Sequence, residues 1–168
     1  MYKEIKISEI SSQALEQIKK GAFLTVKSQD KVNTMTIGWS SIGYMWNKYI
    51  FTAFVRYSRY TYEIIENSQD FTVSIPLDNS LNKELGLCGS KSGRDVDKIK
   101  AANLSIREGE TVESPIIDNC QLHIECKIVY KQGMDKESLC EEIKNNSYPK
   151  DDYHVMYFGE ILKVYIKD

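Results

Sequence analysis

The sequence has little of several features, and each shortage excludes a class of protein. Three prolines and nine glycines among 168 residues, with no low-complexity tract, exclude a fibrous or disordered chain. No apolar run approaches the roughly 18 residues that a membrane helix needs, so we expect no membrane partner. The first residues also lack the apolar core of a signal peptide, so we expect a cytoplasmic protein.

Excess charge and metal-binding motifs are missing as well. Lys and Arg number 22 and Asp and Glu 24, and the formal charge of −2 gives no general attraction for nucleic acid. The four cysteines, at positions 88, 120, 126 and 140, form no C-x-x-C pair, and only two histidines are present. We therefore expect no metal site. Most of the cysteines are expected to be buried, although the glycines around Cys88 could expose it.

What the chain does contain favours β-structure, because aromatic and β-branched residues are frequent in its first 75 positions. We predict strands over 22–27, 32–40, 49–55, 71–75, 120–131 and 153–167. We predict helices over 11–20, 58–68 and 136–145, with short helical pieces between 79 and 104. No G-x-G-x-x-G motif supports a Rossmann site. The pattern predicts one domain, residues 1–168, that is mainly β: a β-barrel with peripheral helices.

The strand predicted over 32–40 has an unusual polar face. Small and mostly hydroxylic residues alternate along it with apolar ones: Thr34, Thr36, Gly38 and Ser40 against Met35, Ile37 and Trp39. Small side chains allow a flat ligand to approach the backbone, and hydroxyl groups can bond to its polar edge. An ordinary threonine-rich strand would show the same pattern, because threonine has good β propensity.

A second candidate lies between the third strand and the helix that follows it. Two arginines and two hydroxyl groups stand together there: Arg56, Ser58, Arg59 and Thr61. Ser58 is a plausible helix N-cap. Arginines oppose the dipole at a helix start, and a bound anion such as a phosphate would remove that conflict. The alternative is a solvated basic turn that pairs with Glu63 or Glu66.

Two further features are weaker. The segment from Cys88 to Asp95, with Lys98 after it, is a cationic loop interrupted by glycines, and either covers an anion site or is a plain surface loop. His154 opens the last predicted strand. Its side chain has a pKa suited to proton transfer, but a lone histidine is more often a satisfied polar residue.

Taken in order, these motifs resemble one family. They are Asn33-x-Met35-Thr36-x-x-Trp39-Ser40, Arg56-x-Ser58-Arg59-x-Thr61, Gly89 with Ser92-Gly93, and His154 followed by Phe158-Gly159-Glu160. Together they resemble the flavin reductase-like family and, within it, the flavoredoxin-like branch. The resemblance implies an FMN-binding split barrel that works as a homodimer. It implies an oxidoreductase that transfers hydride or electrons from NAD(P)H, or from a reduced partner, through FMN to an acceptor.

The resemblance also implies roles for individual residues. The isoalloxazine ring would lie against the first motif: Asn33, Thr34, Met35, Thr36, Gly38, Trp39 and Ser40. The phosphate would be held by Arg56, Ser58, Arg59 and Thr61, with Ser92 bordering the site. His154 would be the catalytic residue, near the nicotinamide or the flavin. A non-catalytic electron carrier, or a domain that only binds FMN or another phosphorylated ligand, stays open as the alternative.

Overall fold

The computed structural model describes residues 1–167, which form antiparallel strands with short helices around them. The strands are β1 (Tyr2–Glu4), β2 (Ala22–Ser28), β3 (Lys31–Ile37), β4 (Ser40–Met45), β5 (Lys48–Arg56), β6 (Asp70–Ile75), β7 (Ile106–Arg107), β8 (Ile116–Ile117), β9 (Leu122–Gly133) and β10 (His154–Lys167). The helices are α1 (Ile7–Ile18), α2 (Tyr60–Ile65), α3 (Asn82–Ser90), α4 (Lys98–Ala101) and α5 (Glu141–Ser147), with one 3-10 turn (Lys136–Ser138). Within residues 1–167, no helix has the length and apolar character required to cross a membrane.

Eight of the strands form one antiparallel sheet in the order β3-β2-β6-β9-β10-β5-β4, with β1 also paired to β10. The two end strands, β3 and β4, are consecutive in the chain and are joined only by Gly38 and Trp39. Because so short a link holds the two ends of the sheet together, the sheet must curl round into a barrel that stays open along one seam. The prediction of a mainly β barrel with peripheral helices is confirmed.

The barrel is filled from the inside and covered on part of its outside. The main core lies between the sheet and helices α1 and α2, and within it the rings of Phe51 and Phe71 pack 6.2 Å apart. A second apolar cluster, which includes Phe23, Leu85 and Ile117, covers the outer face beneath α3 and α4. Every residue of β6 is consequently buried, as expected of a strand with protein on both faces.

Helix α1 shows why the sequence folds this way locally. Its buried residues, Ile7, Ile10, Ala14 and Ile18, recur every three or four positions and form one apolar stripe. The predicted helix, 11–20, therefore began too late and ended two residues beyond Ile18. Gly21 follows the helix and has a φ of +126°, which L side chains rarely adopt, so the helix cannot continue through it.

Other predicted boundaries were wrong in ways that affect the site. The strand predicted over 32–40 ends at Ile37, and Ser40 begins a new strand. The helix predicted over 58–68 is confined to six residues, and the one predicted over 136–145 is broken into a 3-10 turn and α5. Strands β1, β4, β7 and β8 were not predicted, because they are short or carry no clean alternation.

Burial also differs from the sequence pattern in one strand. His123 and Glu125 alternate with apolar residues along β9, yet both are fully buried, because the segment from residue 108 to 120 covers that face. Cys88 is buried too, and so are Cys120 and Cys126, as expected for most of the cysteines.

Candidate functional site

Two cavities lie side by side at the open seam of the barrel, and Arg59 lines both. The first, the central cavity, measures about 240 Å³ and is lined by Met35, Thr36, Ile37, Gly38, Trp39, Phe54, Arg56, Arg59 and His154. The second, the cationic cavity, measures about 150 Å³ and is lined by Ser58, Arg59, Tyr60, Thr61, Ser90, Lys91, Ser92, Gly93, Arg94 and Lys98. The first has aromatic walls and the second is rich in positive charge and hydroxyl groups.

The sheet register brings the central cavity together. Arg56 ends β5 and His154 begins β10, and these two residues are direct partners across the strand pair. The seam residue Trp39 lies over them, with its ring centroid 5.1 Å from that of His154 and 5.8 Å from the Arg56 guanidinium carbon. Residues more than 100 positions apart in sequence thus form one wall.

His154 is held as a neutral imidazole. The side chain is 7% exposed, and its Nδ1 lies 2.7 Å from the hydroxyl of Tyr148. Burial, followed by the positive charge of Arg56, lowers the pKa of His154 from 6.5 to about 4. The ring therefore carries no charge at neutral pH.

Arg56 ties a distant segment to the cavity wall. Its guanidinium donates hydrogen bonds to the backbone carbonyl of Asp152 and, at 3.1 Å, to that of Ser147. It also lies over the Tyr148 ring, 5.0 Å from the centroid. Arg56 lines the central cavity but not the cationic one.

Arg59 and Lys98 bring positive charge to the cationic cavity, Lys98 as a buried side chain and Arg59 as a partly buried one. Arg59 donates to the carbonyl of Gly89 at 2.8 Å, and the Lys98 ammonium donates to the carbonyl of Cys88 at 3.1 Å. Lys98 is only 4% exposed, and burial lowers its pKa to about 8. Burial also lowers the pKa of Arg59 from its ordinary value. None of the ion pairs formed within residues 1–167 involves Arg56, Arg59 or Lys98. Buried charge without a counter-ion is costly, so this cavity suits an anion.

The hydroxyl groups of the cationic cavity are arranged as donors. Thr61 Oγ1 accepts a hydrogen bond from Asn33 Nδ2 at 2.8 Å, and Ser92 Oγ accepts one from the Arg94 amide at 3.2 Å. Neither hydroxyl proton has an acceptor among residues 1–167, so each can be donated into the cavity. The hydroxyl of Ser58 differs, because it donates to the Asp152 carboxylate at 2.6 Å.

The helix start near Ser58 also differs from the sequence prediction. The N-cap of α2 is Arg59, and no side chain caps the helix. The prediction that Ser58 is the N-cap was therefore wrong. The Asp152 carboxylate, 94 residues further along the chain, accepts hydrogen bonds from both the backbone amide and the hydroxyl of Ser58.

A comparison with known sequence families shows which family this chain belongs to. Residues 19–168 match the sequence family described as "Flavin reductase like domain". The chain belongs to the flavin reductase-like family. The resemblance found in the sequence motifs is thereby confirmed.

Solved structures share the fold of this flavin reductase-like chain. The FMN-binding domain of a flavin reductases-like enzyme from Shewanella baltica OS155 is 16% identical, with a TM-score of 0.71 and coverage of 99% of this chain and 77% of that one. Flavoredoxin of Desulfovibrio vulgaris (Miyazaki F) is 22% identical, with a TM-score of 0.70 and coverage of 88% and 69%. Flavoredoxin from Methanosarcina acetivorans is 26% identical, with a TM-score of 0.68 and coverage of 88% and 68%. The predicted split-barrel fold is confirmed.

The residues of the first motif of this flavin reductase-like chain, from Asn33 to Ser40, lie in different surroundings in the structure. Met35, Thr36, Gly38 and Trp39 line the central cavity. Thr34 does not: its hydroxyl is buried against the carbonyl of Leu24, 3.3 Å away. Asn33 lies beneath the cationic cavity, where it supports Thr61, and Ser40 lines a third cavity.

Gly93 shows how tightly the loop from Cys88 to Asp95 packs on Asn33, beneath the cationic cavity. A Cβ added at Gly93 would lie 2.2 Å from Asn33 Oδ1 and 2.7 Å from the Tyr60 ring. Only glycine allows the Ser92-Gly93 backbone to approach so closely. From the sequence, this loop could either cover an anion site or be a plain surface loop. In the structure it forms the outer wall of the cationic cavity.

Several residues of the flavin reductase-like site were missed by the sequence analysis. Phe54, Tyr148 and Asp152 were not identified, and Lys98 was noted only as an extension of the loop. Phe54 reads as an ordinary strand residue, and Tyr148 stands in a polar segment without a pattern. The signal that could have drawn attention to Lys98 is its place on the apolar side of a short helix, next to Ile99 and Ala102, where a lysine needs a reason to be buried.

The third cavity, which we call the apolar cavity, adjoins the central one. It measures about 580 Å³ and shares Gly38, Trp39 and Phe54 with the central cavity. Its remaining lining comes from Leu15, Ile18, Lys19, Ser40, Met134, Leu139, Ile143, Ser147 and Tyr148. The shared wall of Trp39 and Phe54 separates the apolar cavity from the central cavity.

Proposed function

We propose that this protein binds FMN across the central and cationic cavities and transfers hydride or electrons through it. The donor is NAD(P)H or a reduced partner, and the electrons pass to an acceptor. One observation carries the proposal: Lys98 is buried and Arg59 is partly buried immediately beside an aromatic-walled cavity, and neither forms an ion pair within residues 1–167. The names of the similar structures support it, because one of them is described as an FMN-binding domain.

The donors of the cationic cavity fit a phosphate monoester. Arg59 uses one of its five N–H groups on Gly89, and Lys98 uses one of three on Cys88, so both retain donors for an anion. Thr61 and Ser92 add one hydroxyl proton each. We assign the phosphate to these four residues. Arg56, which the sequence placed with them, instead forms the wall of the central cavity and holds the segment that carries Asp152.

The central cavity fits a flat aromatic ring system. Trp39, Phe54 and Met35 offer apolar contact, and His154 offers a polar edge. The Thr36 hydroxyl donates to the carbonyl of Leu85 at 2.6 Å, so towards a ligand it can only accept. A bound flavin would supply the redox chemistry, and the protein would bind the ring, orient it and tune its electronics by hydrogen bonds.

A homodimer is part of the proposal, and an exposed aromatic patch supports it. Tyr44, Trp46 and Tyr49 on the β4–β5 hairpin are each about half exposed or more, and Trp46 lies 6.0 Å from the ring of Tyr130. Exposed apolar patches of this kind mark interaction surfaces. Light scattering during size-exclusion chromatography would give the mass of the particle, and a monomer at 19.4 kDa would rule the dimer out.

The test of FMN binding is a titration followed by flavin fluorescence, with riboflavin as the ligand that lacks the phosphate. Lys98→Met and Arg59→Ala should each weaken FMN about 10- to 100-fold, because a charge-assisted hydrogen bond contributes about 1.5–3 kcal/mol. Riboflavin affinity should change little. Lys100→Met is the matched control, because Lys100 lies on the same helix α4 and is exposed, paired only with Asp97. Equal losses for FMN and riboflavin would contradict the phosphate assignment.

A second measurement separates the enzyme from an electron carrier. If the protein is an NAD(P)H-dependent oxidoreductase, steady-state oxidation of NADH or NADPH proceeds with added FMN and an acceptor. If bound FMN is reduced only by a protein partner, the electron-carrier alternative is correct.

A further inference from the structure

The two histidines of the chain differ in how their rings are satisfied. His123 uses both nitrogens: Nδ1 lies 3.0 Å from the Ser74 hydroxyl and Nε2 lies 3.1 Å from the carbonyl of Cys120. His154 uses only Nδ1, which faces the Tyr148 hydroxyl at 2.7 Å. Among residues 1–167, its Nε2 has no hydrogen-bond partner. A side chain that is 93% buried (7% exposed) and lines a cavity thus keeps one polar atom for a ligand.

The direction of the Tyr148–His154 hydrogen bond follows from what each group can do. His154 is the only partner of the Tyr148 hydroxyl among residues 1–167, and that hydroxyl is buried. If the imidazole donated from Nδ1, the phenol proton would have no acceptor. If the phenol donates to Nδ1, the phenol proton and Nδ1 are both satisfied, and the proton of the neutral ring must lie on Nε2.

Tyr148 is itself held in place. The Arg56 guanidinium lies over one side of its ring, and the ring of Tyr153 stacks with it at 4.8 Å. Arg56 also anchors the backbone next to Tyr148, through the carbonyl of Ser147. The hydroxyl therefore meets His154 from a fixed direction.

We propose that Tyr148 is a positioning residue that fixes His154 as the tautomer protonated on Nε2, so that the ring offers one neutral N–H to a hydrogen-bond acceptor bound in the central cavity. The identity of that acceptor rests on the proposed function: with FMN bound, it is a carbonyl oxygen or unprotonated nitrogen of the flavin ring. His154 then acts as a neutral donor towards the ligand and not as a charged acid. Of the charged groups nearest to it, Arg56 and Arg59 have no acceptor atom, and the Asp152 carboxylate accepts from the amide and hydroxyl of Ser58.

The tautomer can be measured without any ligand. Because the chain has two histidines, a two-bond ¹H–¹⁵N correlation spectrum of the ¹⁵N-labelled full chain at pH 7 contains two ring patterns, and His154→Gln identifies which is which. We expect His154 to carry its proton on Nε2. In Tyr148→Phe, the Nδ1 resonance should move to that of a nitrogen without a hydrogen bond. A proton on Nδ1 in the unmodified chain would overturn the proposal.

Tyr153→Phe is the matched control. It removes a hydroxyl from the neighbouring stacked ring, where that hydroxyl bonds to Asp151 at 2.8 Å and does not reach His154. The ring pattern of His154 should be unchanged in Tyr153→Phe and changed in Tyr148→Phe. If Tyr148→Phe also leaves the Nδ1 resonance unchanged, the positioning role is wrong.

Binding supplies the second readout. Tyr148→Phe should weaken FMN and riboflavin by the same factor, about 2- to 10-fold, because a misaligned neutral hydrogen bond acts on the ring and not on the phosphate. A loss confined to FMN would contradict the assignment. If the tautomer is as expected but the unmodified chain binds no FMN, the proposed function fails while the Tyr148–His154 assignment stands. If FMN binds and the proton lies on Nδ1, the reverse holds.

Discussion

Two buried charged clusters, at different places on the barrel, are built in opposite ways. In the first, which we call the acid cluster, Glu125 accepts hydrogen bonds from the amides of Glu110 and Thr111 and from the hydroxyls of Thr111 and Tyr165, all at 2.6–2.8 Å. Asp70 likewise accepts from two backbone amides of the same covering loop. In the second, the cationic cavity, Arg59 and Lys98 have carbonyl partners but no carboxylate.

The two clusters differ in whether the fold itself supplies partners that stabilise the charge. Burial by itself would raise the pKa of Glu125, but its hydrogen bonds, led by Thr111, outweigh burial and lower it. The protein therefore stabilises the charged acid and uses it to fasten a loop. Burial lowers the pKa of Lys98, and the protein does nothing comparable to restore it. A cluster that the fold completes needs no ligand, whereas one that it leaves incomplete is suited to bind one.

The largest effect should come from breaking the acid cluster. Glu125→Ala removes the buried acceptor of four hydrogen bonds, so we expect the free energy of unfolding to fall by about 3–5 kcal/mol. Urea denaturation followed by circular dichroism measures this fall. Glu113→Ala, an exposed acid in the same loop, should change stability by less than about 0.5 kcal/mol. Similar losses for both variants would show that Glu125 does not fasten the loop.

Acidification should act through the two histidines. Burial lowers the pKa of both His123 and His154 from 6.5 to about 4. Between these values the unfolded chain binds more protons than the folded one, so stability is complete above pH 6.5 and falls as the pH decreases towards 4. The expected loss is about 3 kcal/mol for each ring. Denaturation curves at several pH values would show it, and His154→Gln should remove about half of the slope.

Removing Lys98 should raise the free energy of unfolding, whereas breaking the acid cluster should lower it. In the ligand-free protein, Lys98→Met should raise the free energy of unfolding by about 2 kcal/mol at pH 7, because a buried charge without a counter-ion is lost. The gain should vanish as the pH rises from 8 to 10.5, since the folded protein releases the Lys98 proton more readily than the unfolded chain. A destabilised Lys98→Met variant at pH 7 would mean that the protein itself compensates this charge.

The smallest effect distinguishes two hydroxyls that the sequence grouped together. Ser58 donates to Asp152 and Thr61 keeps its proton for the cavity. Ser58→Ala should therefore change FMN affinity by less than about twofold, whereas Thr61→Val should weaken it about 3- to 10-fold. Fluorescence titration of both variants measures the ratio. A larger loss for Ser58→Ala would return Ser58 to the phosphate site.

Sequence patterns were sufficient for much of this molecule. The residue types along the chain predicted β6, β9 and most of α1, because β-branched and apolar residues at regular spacing favour one kind of element. The order of the motifs around Asn33, Arg56 and His154 indicated the flavin reductase-like family. Local patterns of this kind depend on neighbours in the chain, and they can be read without coordinates.

Other properties were decided by contacts between distant segments. Whether Arg56 or Lys98 joins Arg59 depends on how α3 and α4 cover the barrel, and whether Ser58 can donate to a ligand depends on Asp152, 94 residues away. The same holds for His154, whose tautomer is set by a tyrosine in a segment with no pattern of its own. Residue types determine which hydrogen bonds a side chain can make, but only the folded arrangement determines which partners come within reach. A buried charge is left for a ligand only where that arrangement brings it no counter-ion.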